Sequence, residues 1–196
     1  NMRVGITAMS HAAIDNFLAE VVEVMEDEGD LGLLRAVRKG AEPATGALAG
    51  VEYVNANPPC ARPEYNVVAG TTWLFAGPDM RAAPVDVLII DEAGQLSLAD
   101  AIAAMSSCRS VVLLGDPLQL PQVSQAAHPG TSGRSVLEHV LDGDATIADD
   151  RGIFLSETRR MHDDVCGFIS DQIYEGRLKS HVSCRAQSTA DGTGLR

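Results

Sequence analysis

The apolar residues of this chain gather in short runs separated by stretches of helical spacing. The clearest run, Val85 to Ile90, is nearly continuous and rich in β-branched side chains, which predicts a parallel strand covered on both faces. Val4 to Ala8, Val67 with Val68, Val111 to Leu114 and Ile153 to Leu155 read as further strands. A helix is predicted from near Ser10, with Ile14, Phe17, Leu18, Val21 and Met25 forming a buried stripe. A second is predicted over Leu98 to Met105, where Ala99, Ile102, Ala103 and Met105 are available to pack. Ser135 followed by Glu138 has the spacing of a capping box, and it opens a short helix with Val136, Leu137, Val140 and Leu141 facing the core. Residues 31–66 are the least patterned, with one strand expected around Leu34 to Val37 and then a loop through the segment Pro58 to Pro63. The tail from Ser183 is polar and glycine-rich, so fraying is expected there.

Alternating strands and helices predict an α/β fold with a mainly parallel sheet. In such sheets ligands bind at the carboxyl ends of the strands. Asp91 and Glu92 stand at that end of the Val85 to Ile90 run. One of them can hold a hydrated Mg²⁺ and the other can take a proton from an attacking water, although two acids also suit the start of the next helix, whose dipole favours negative charge. The segment from Val85 to Leu114 has the length of a βαβ unit, which crosses over right-handed and leaves both strand ends at one edge. Gly115, Asp116 and Gln119 therefore emerge beside the two acids. A glutamine there can donate to a γ-phosphate or orient a water.

Asp91, Glu92, Ala93, Gly94 and Gln95, followed by the stretch from Gly115 to Pro121, resemble motifs II and III of superfamily 1 helicases, in the 5′-to-3′ branch that includes the nonsense-mediated-decay helicase. Ile6 to Asp15 resembles motif Ia, and Leu155 to His162 resembles motif IV. The resemblance implies a RecA-like P-loop NTPase lobe over residues 1–158, with the motif IV segment and the start of a connection to a second lobe over 159–196. It also implies ATP and Mg²⁺ as cofactors. Asp91 would be the Mg²⁺ ligand, Glu92 the base, Gln119 the γ-phosphate sensor and Arg160 the transition-state arginine, with Gln95, Gly115 and Asp116 lining the nucleotide. Arg159 replaces the family's usual aromatic residue and Asp163 a common proline. Trp73 to Ala76, Ser135 to His139 and Ile173 to Leu178 resemble a narrower bacterial group that joins such a motor to a RecB-like nuclease, yet no nuclease site of that type occurs here.

The family's phosphate-binding loop is missing. No G-x-x-x-x-G-K-[ST] string occurs in the chain. Gly130 to Ser135 imitates one superficially, but His128 stands where the first glycine belongs and Arg134 where the lysine belongs. In the family that loop precedes motif Ia, so it is expected before residue 1, and the lobe is read as incomplete. The strand that leads into it lies, in the family, between the strand at Val111 to Leu114 and the strand at Ile153 to Leu155. Its omission predicts either a sheet that closes the gap or one filled by a second copy, because unpaired strand edges are adhesive. The piece alone is expected to be inactive, with the phosphate-loop segment and second lobe as its partners.

Composition modifies this picture in one respect. Of 196 residues, 15 are basic and 27 acidic, a net charge of −12, which opposes tight binding to a phosphate backbone. Part of the excess is the run Glu20, Glu23, Glu26, Asp27, Glu28 and Asp30 on the polar side of the first helix. Single-stranded DNA or RNA is the expected partner of the parent, met by Ser10 and His11 at the start of that helix and by Thr71 and Thr72. Trp73 offers an indole for stacking but is expected to pack in the core beside Leu74 and Phe75. His162 and His181 have no ligand-spaced partners and read as structural. Cys60, Cys108, Cys166 and Cys184 are irregularly spaced, which argues against a zinc or iron–sulfur site and fits reduced thiols in the cytoplasm. No apolar run is long enough to span a membrane. A competing reading is a docking module for nucleic acid or protein that has lost motor function.

Overall fold

The computed structural model describes residues 2–118 and 133–187, and the chain divides into two compact units, residues 1–140 and 141–196. In the first unit β1 (Val4–Thr7) leads into α1 (His11–Asp27), then β2 (Ala36–Lys39), β3 (Val51–Val54), α2 (Asn57–Cys60), β4 (Val67–Ala69), α3 (Thr72–Phe75), α4 (Pro78–Ala82), β5 (Val85–Ile90), α5 (Leu98–Met105) and β6 (Cys108–Leu113). Helix α6 (Val136–Leu141) follows. The six strands form one parallel sheet in the order β3-β2-β4-β1-β5-β6. The fold is thus α/β with a parallel sheet, consistent with a RecA-like lobe.

Register places Ile6 beside Ala69 and Ile89, so adjacent strands end together at one edge. The two faces are covered unequally. Ile6, Ala8 and Ala69 pack against Ile14 and Leu18 of α1, whereas Val68, Leu88 and Ile90 join Leu74, Phe75, Met80, Ala101, Ala104 and Val136 in a thicker layer. Val85, Leu88 and Ile90 are buried but Val87 and Ile89 only partly so. Phe17, Val21 and Met25 are likewise only partly buried, and Val22 completes the buried stripe of α1. The acidic run Glu20 to Asp30 is a solvated face.

Several expectations shift. Helix α5 has the expected bounds but turns a different face inward: Ala101 and Ala104 are buried, Met105 packs partly, and Ala99, Ile102 and Ala103 are exposed. Small residues let the helix lie close to the sheet, so the bulkier Ile102 is not the one that packs. The strand expected near Leu34 runs instead over Ala36–Lys39, and the supposed loop beyond it contains β3. The Ser135 capping box is complete, with Glu138 N donating to Ser135 Oγ at 3.1 Å and Ser135 N to Glu138 Oε2 at 2.7 Å. Val136 and Leu137 are buried as expected, while Val140 is exposed.

In the second unit β7 (Glu157–Thr158) and β8 (Lys179–Ser180) make a short parallel ladder joined through α7 (Asp163–Ile173). Arg177 organises one end, donating to Thr146 Oγ1 at 2.7 Å and standing 4.6 Å from the Phe154 ring centroid. His162 and His181 cap α7 and the following turn, accepting from Asp164 N and Ser183 N. That turn, Val182–Ala186, buries Cys184, so order continues past Ser183 to at least that point. Ile153 to Leu155 form no strand, contrary to expectation, and Ile153 and Leu155 are exposed.

Of the two outcomes expected for the gap, closing within the sheet is not seen among the described residues. Among the described residues β6 pairs with β5 alone and ends the sheet. Val112 shares the face of Ile89 and Val111 that of Leu88, and they are 42% and 37% exposed, so this edge is apolar on both sides. An open apolar edge templates further pairing. The chain is accordingly expected to self-associate through β6, and Val112→Lys to return it to monomer; a monomeric mass for the unaltered chain over a wide concentration range in light scattering would contradict this.

Among the described residues all four cysteines are free. Burial pushes the Cys60 thiol up to about 11, and the hydrogen bond to Glu52, ahead of burial, raises Tyr65. Both hold their protons more tightly folded than unfolded, so the stability they contribute is complete below their ordinary ranges and lost as pH rises through the folded values. The urea midpoint should therefore fall toward about pH 11, and Cys60→Ala should flatten part of that fall. Identical slopes for the two proteins would show that Cys60 is not linked to folding.

Candidate functional site

Because all six strands are parallel, their carboxyl ends share one edge, and most of the singled-out residues of the first unit emerge from it. From β1 come Ser10 and His11, from β4 Thr71 and Thr72, from β5 Asp91, Glu92 and Gln95, and from β6 Gly115 and Asp116. Strand order sorts them into two groups. The polar residues proposed for nucleic acid leave β4 and β1, whereas the acids proposed for nucleotide leave β5 and β6, with β1 and β5 as neighbours across the divide.

Asp91 is fixed from both sides, its amide donating to Thr7 O at 2.9 Å and its Oδ1 accepting from Glu92 N at 2.9 Å. Both acids are partly exposed. Glu92 has φ +52°, a left-handed conformation that costs a non-glycine residue about 1–2 kcal/mol. Strain of this kind persists where the surroundings dictate it, and it concentrates at functional positions. The surroundings here are two loops in backbone contact. Ala93 N donates to Leu114 O at 2.8 Å, and a Cβ on Gly94 would stand 2.1 Å from Asp116 O. One on Gly115 would stand 2.9 Å from Ala93 N, so only glycines let the loops after β5 and β6 meet. Gln95 N donates to Glu92 O at 2.9 Å, and Asp116 Oδ1 accepts from Leu118 N at 2.9 Å. Gln119 lies outside the described residues.

The residues present suit only one end of a magnesium nucleotide. A partly exposed carboxylate at a sheet edge is a suitable Mg²⁺ ligand, since that ion keeps waters and takes one or two carboxylates with the phosphates. Among the described residues no group of three or more His, Cys, Asp or Glu side chains is assembled to hold a metal. A phosphate cradle has no counterpart in this sequence. One group that sequence reasoning missed is Thr7, whose carbonyl holds Asp91 N and whose Oγ1 is buried with no hydrogen-bond partner among the described residues. A hydroxyl ending an apolar strand was the available signal.

On the other half of the edge Ser10 caps α1, its Oγ accepting from Ala13 N at 3.0 Å. Thr71 and Thr72 open α3, partly buried. Trp73 corrects its expectation: the indole is 80% exposed while Leu74 and Phe75 are fully buried. Helix α3 is a single turn, so only one side can face the sheet and the tryptophan lies on the other. In the second unit Arg160 is exposed and Arg159 reaches Glu157 at 3.8 Å.

Comparison with known proteins agrees with this architecture. A family described as an AAA domain matches residues 63–126, the segment that carries β4 to β6 and both acids. The chain is 36% identical over 109 residues to a probable helicase, MAGATAMA 3 of Arabidopsis thaliana, across 54% of this chain and 13% of that protein. It is 28% identical over 130 residues to the 5'-3' DNA helicase ZGRF1 of Mus musculus, across 64% of this chain and 7% of that protein. The α/β fold and these likenesses agree in resembling part of a helicase, and the chain spans a small part of the length of the curated relatives it matches.

Replacing Glu92 by glycine removes the left-handed strain but adds freedom to the unfolded chain, with a net gain of about 0.5–1 kcal/mol expected. The measurement is the urea midpoint of Glu92→Gly, and a lower midpoint would mean that the Glu92 side chain stabilises more than its backbone costs.

Proposed function

We propose that the chain is the greater part of the first motor lobe of an ATP-dependent helicase, in which the β5–β6 end of the sheet edge serves hydrolysis and the β4–β1 end serves as a track for single-stranded nucleic acid. The observation that carries this reading is the pair Asp91 and Glu92, held at the strand end by Thr7 and by the loop contact, with Glu92 kept in a strained backbone conformation. Asp91 would hold Mg²⁺, which neutralises charge on phosphate oxygens. Glu92 accepts a proton from the attacking water and Gln119 orients that water. Gln95, Gly115 and Asp116 border the same space.

The phosphate cradle is supplied by another part of the parent protein, since a magnesium nucleotide has little to hold it here. The isolated piece is therefore inactive. Ser10, His11, Thr71 and Thr72 contact the nucleic-acid backbone, and the exposed Trp73 stacks on a base. Within this class the parent is a motor joined to a RecB-like nuclease, on the likeness of the segments around Trp73, Ser135 and Tyr174 to that group, and it works in the cytoplasm.

The test is nucleic-acid-stimulated ATP hydrolysis by the parent protein, its Glu92→Gln variant and this chain alone. Loss of the base is expected to lower turnover by about 10²–10⁴-fold, with no turnover from the chain alone. A parent inert with every DNA and RNA strand offered would replace the motor with a docking module.

A further inference from the structure

A buried cation lies beneath the carboxyl edge of β2, outside every role given above. Arg38 is 1% exposed and one of the largest fully buried side chains. Its Nε donates to Asp15 Oδ1 at 2.7 Å and its Nη2 to Asp15 Oδ2 at 3.2 Å, a two-pronged grip on one carboxylate. Nη1 donates to Lys39 O, and Nη2 also donates to His11 O at 3.3 Å. A Cβ on Gly40 would stand 2.1 Å from Nη1, so the chain closes over the guanidinium. The remaining contact runs from Nη2 to His11 Nδ1, at 3.0 Å.

A guanidinium has donors and no acceptor. In that contact Nδ1 of His11 therefore accepts, and a neutral imidazole that accepts at Nδ1 carries its hydrogen on Nε2. The ring is exposed, and among the described residues Nε2 has no protein partner. Asp15 lies one turn beyond His11 on the same side of α1, so one carboxylate anchors the guanidinium under both.

The geometry points to Arg38 as a positioning residue that fixes the His11 ring and its tautomer, so that Nε2–H is presented as a preset donor to a phosphodiester oxygen. The inference rests on the proposed reading of this edge as a nucleic-acid track. Preset donors at a helix start, beside the Ser10 cap, suit an anionic oxygen. An arginine exposed at the edge would hold phosphate of any kind by charge alone. Buried, its charge is spent on Asp15 and its geometry is passed on through His11.

The first measurement is the tautomer, read from long-range ¹H–¹⁵N correlation of the histidine-labelled chain at a pH where the ring is neutral, with His11→Ala assigning the signal. The expected result is unprotonated Nδ1 and protonated Nε2; a dominant Nδ1–H form, or an averaged ring, overturns the proposal without any need for a variant at the buried site. In Arg38→Met the signal should move to the averaged position while circular dichroism stays unchanged, a shift that a merely structural role would not produce. The second measurement is binding of a fluorescein-labelled single strand to the parent protein. His11→Ala and Arg38→Met should each weaken it roughly tenfold, and the double variant no further. Independent losses that multiply would overturn the positioning role. If the unaltered parent binds no strand, the track reading fails whatever the tautomer proves to be; if His11→Ala weakens binding while the tautomer is the wrong one, the track stands and the positioning role falls.

Discussion

The constraint on which the rest depends is the parallel pairing of β1 between β4 and β5. Parallel neighbours need a crossover, and right-handed crossovers return each chain segment to the same side of departure, so every strand of this sheet ends at one edge. Segments far apart in sequence are thereby delivered together: Ser10 and Asp91 stand at the ends of adjacent strands although some eighty residues separate them. The edge is divided by strand order. The acidic half on β5 and β6, proposed for nucleotide, and the polar half on β4 and β1, proposed for nucleic acid, meet where β1 and β5 are neighbours, so a displacement of β1 would be felt by both. In the proposed motor, this is the shortest mechanical path between hydrolysis and track.

The carboxyl edge itself is shaped by close approach. The loops after β5 and β6 meet backbone to backbone, a contact that any side chain at Gly94 or Gly115 would obstruct. That contact pulls the chain after Asp91 into a left-handed turn, and it is Glu92 that occupies the turn. The stability given up at one residue is small beside what the sheet supplies, and it fixes the main chain of Glu92 at the place where the strand ends.

How much of this could be read from residues alone depended on what each signal measures. The acids, the glycine turn and the βαβ unit were legible because strand and crossover periodicity is local, and the Ser135 to Glu138 capping box is satisfied as written. The phase of α5 was not, since which alanine faces inward depends on how near the sheet lies. Trp73 was misjudged because its neighbours Leu74 and Phe75 are core; successive helical residues step round by about 100°, so this one turn buries Leu74 and Phe75 and leaves Trp73 outside. Arg38 was illegible for a different reason. An arginine ending a strand reads as surface, and only the fold shows Asp15 and His11 arriving from α1 to enclose it. Residues 153–155 carry a strand-like apolar run that finds no ladder among the described residues, because β-propensity needs a partner to become a strand.

The acidic balance of the chain is less hostile to a polyanion than its sum suggests, and the direction of α1 explains why. The helix begins at the carboxyl edge and runs back along the sheet toward the start of β2, covering about 25 Å over its 17 residues. Glu20, the first of its acidic run, is nine residues from His11, or about 14 Å along the axis, and the later acids are farther still. Physiological salt screens exposed charges over about 8 Å. The negative field of the run therefore acts mainly at the opposite edge of the sheet, while the first turn of the same helix offers its positive end and its free amides to the proposed track. One element separates the two charges by its own length, which makes the local surface, and not the net charge, the quantity that decides binding.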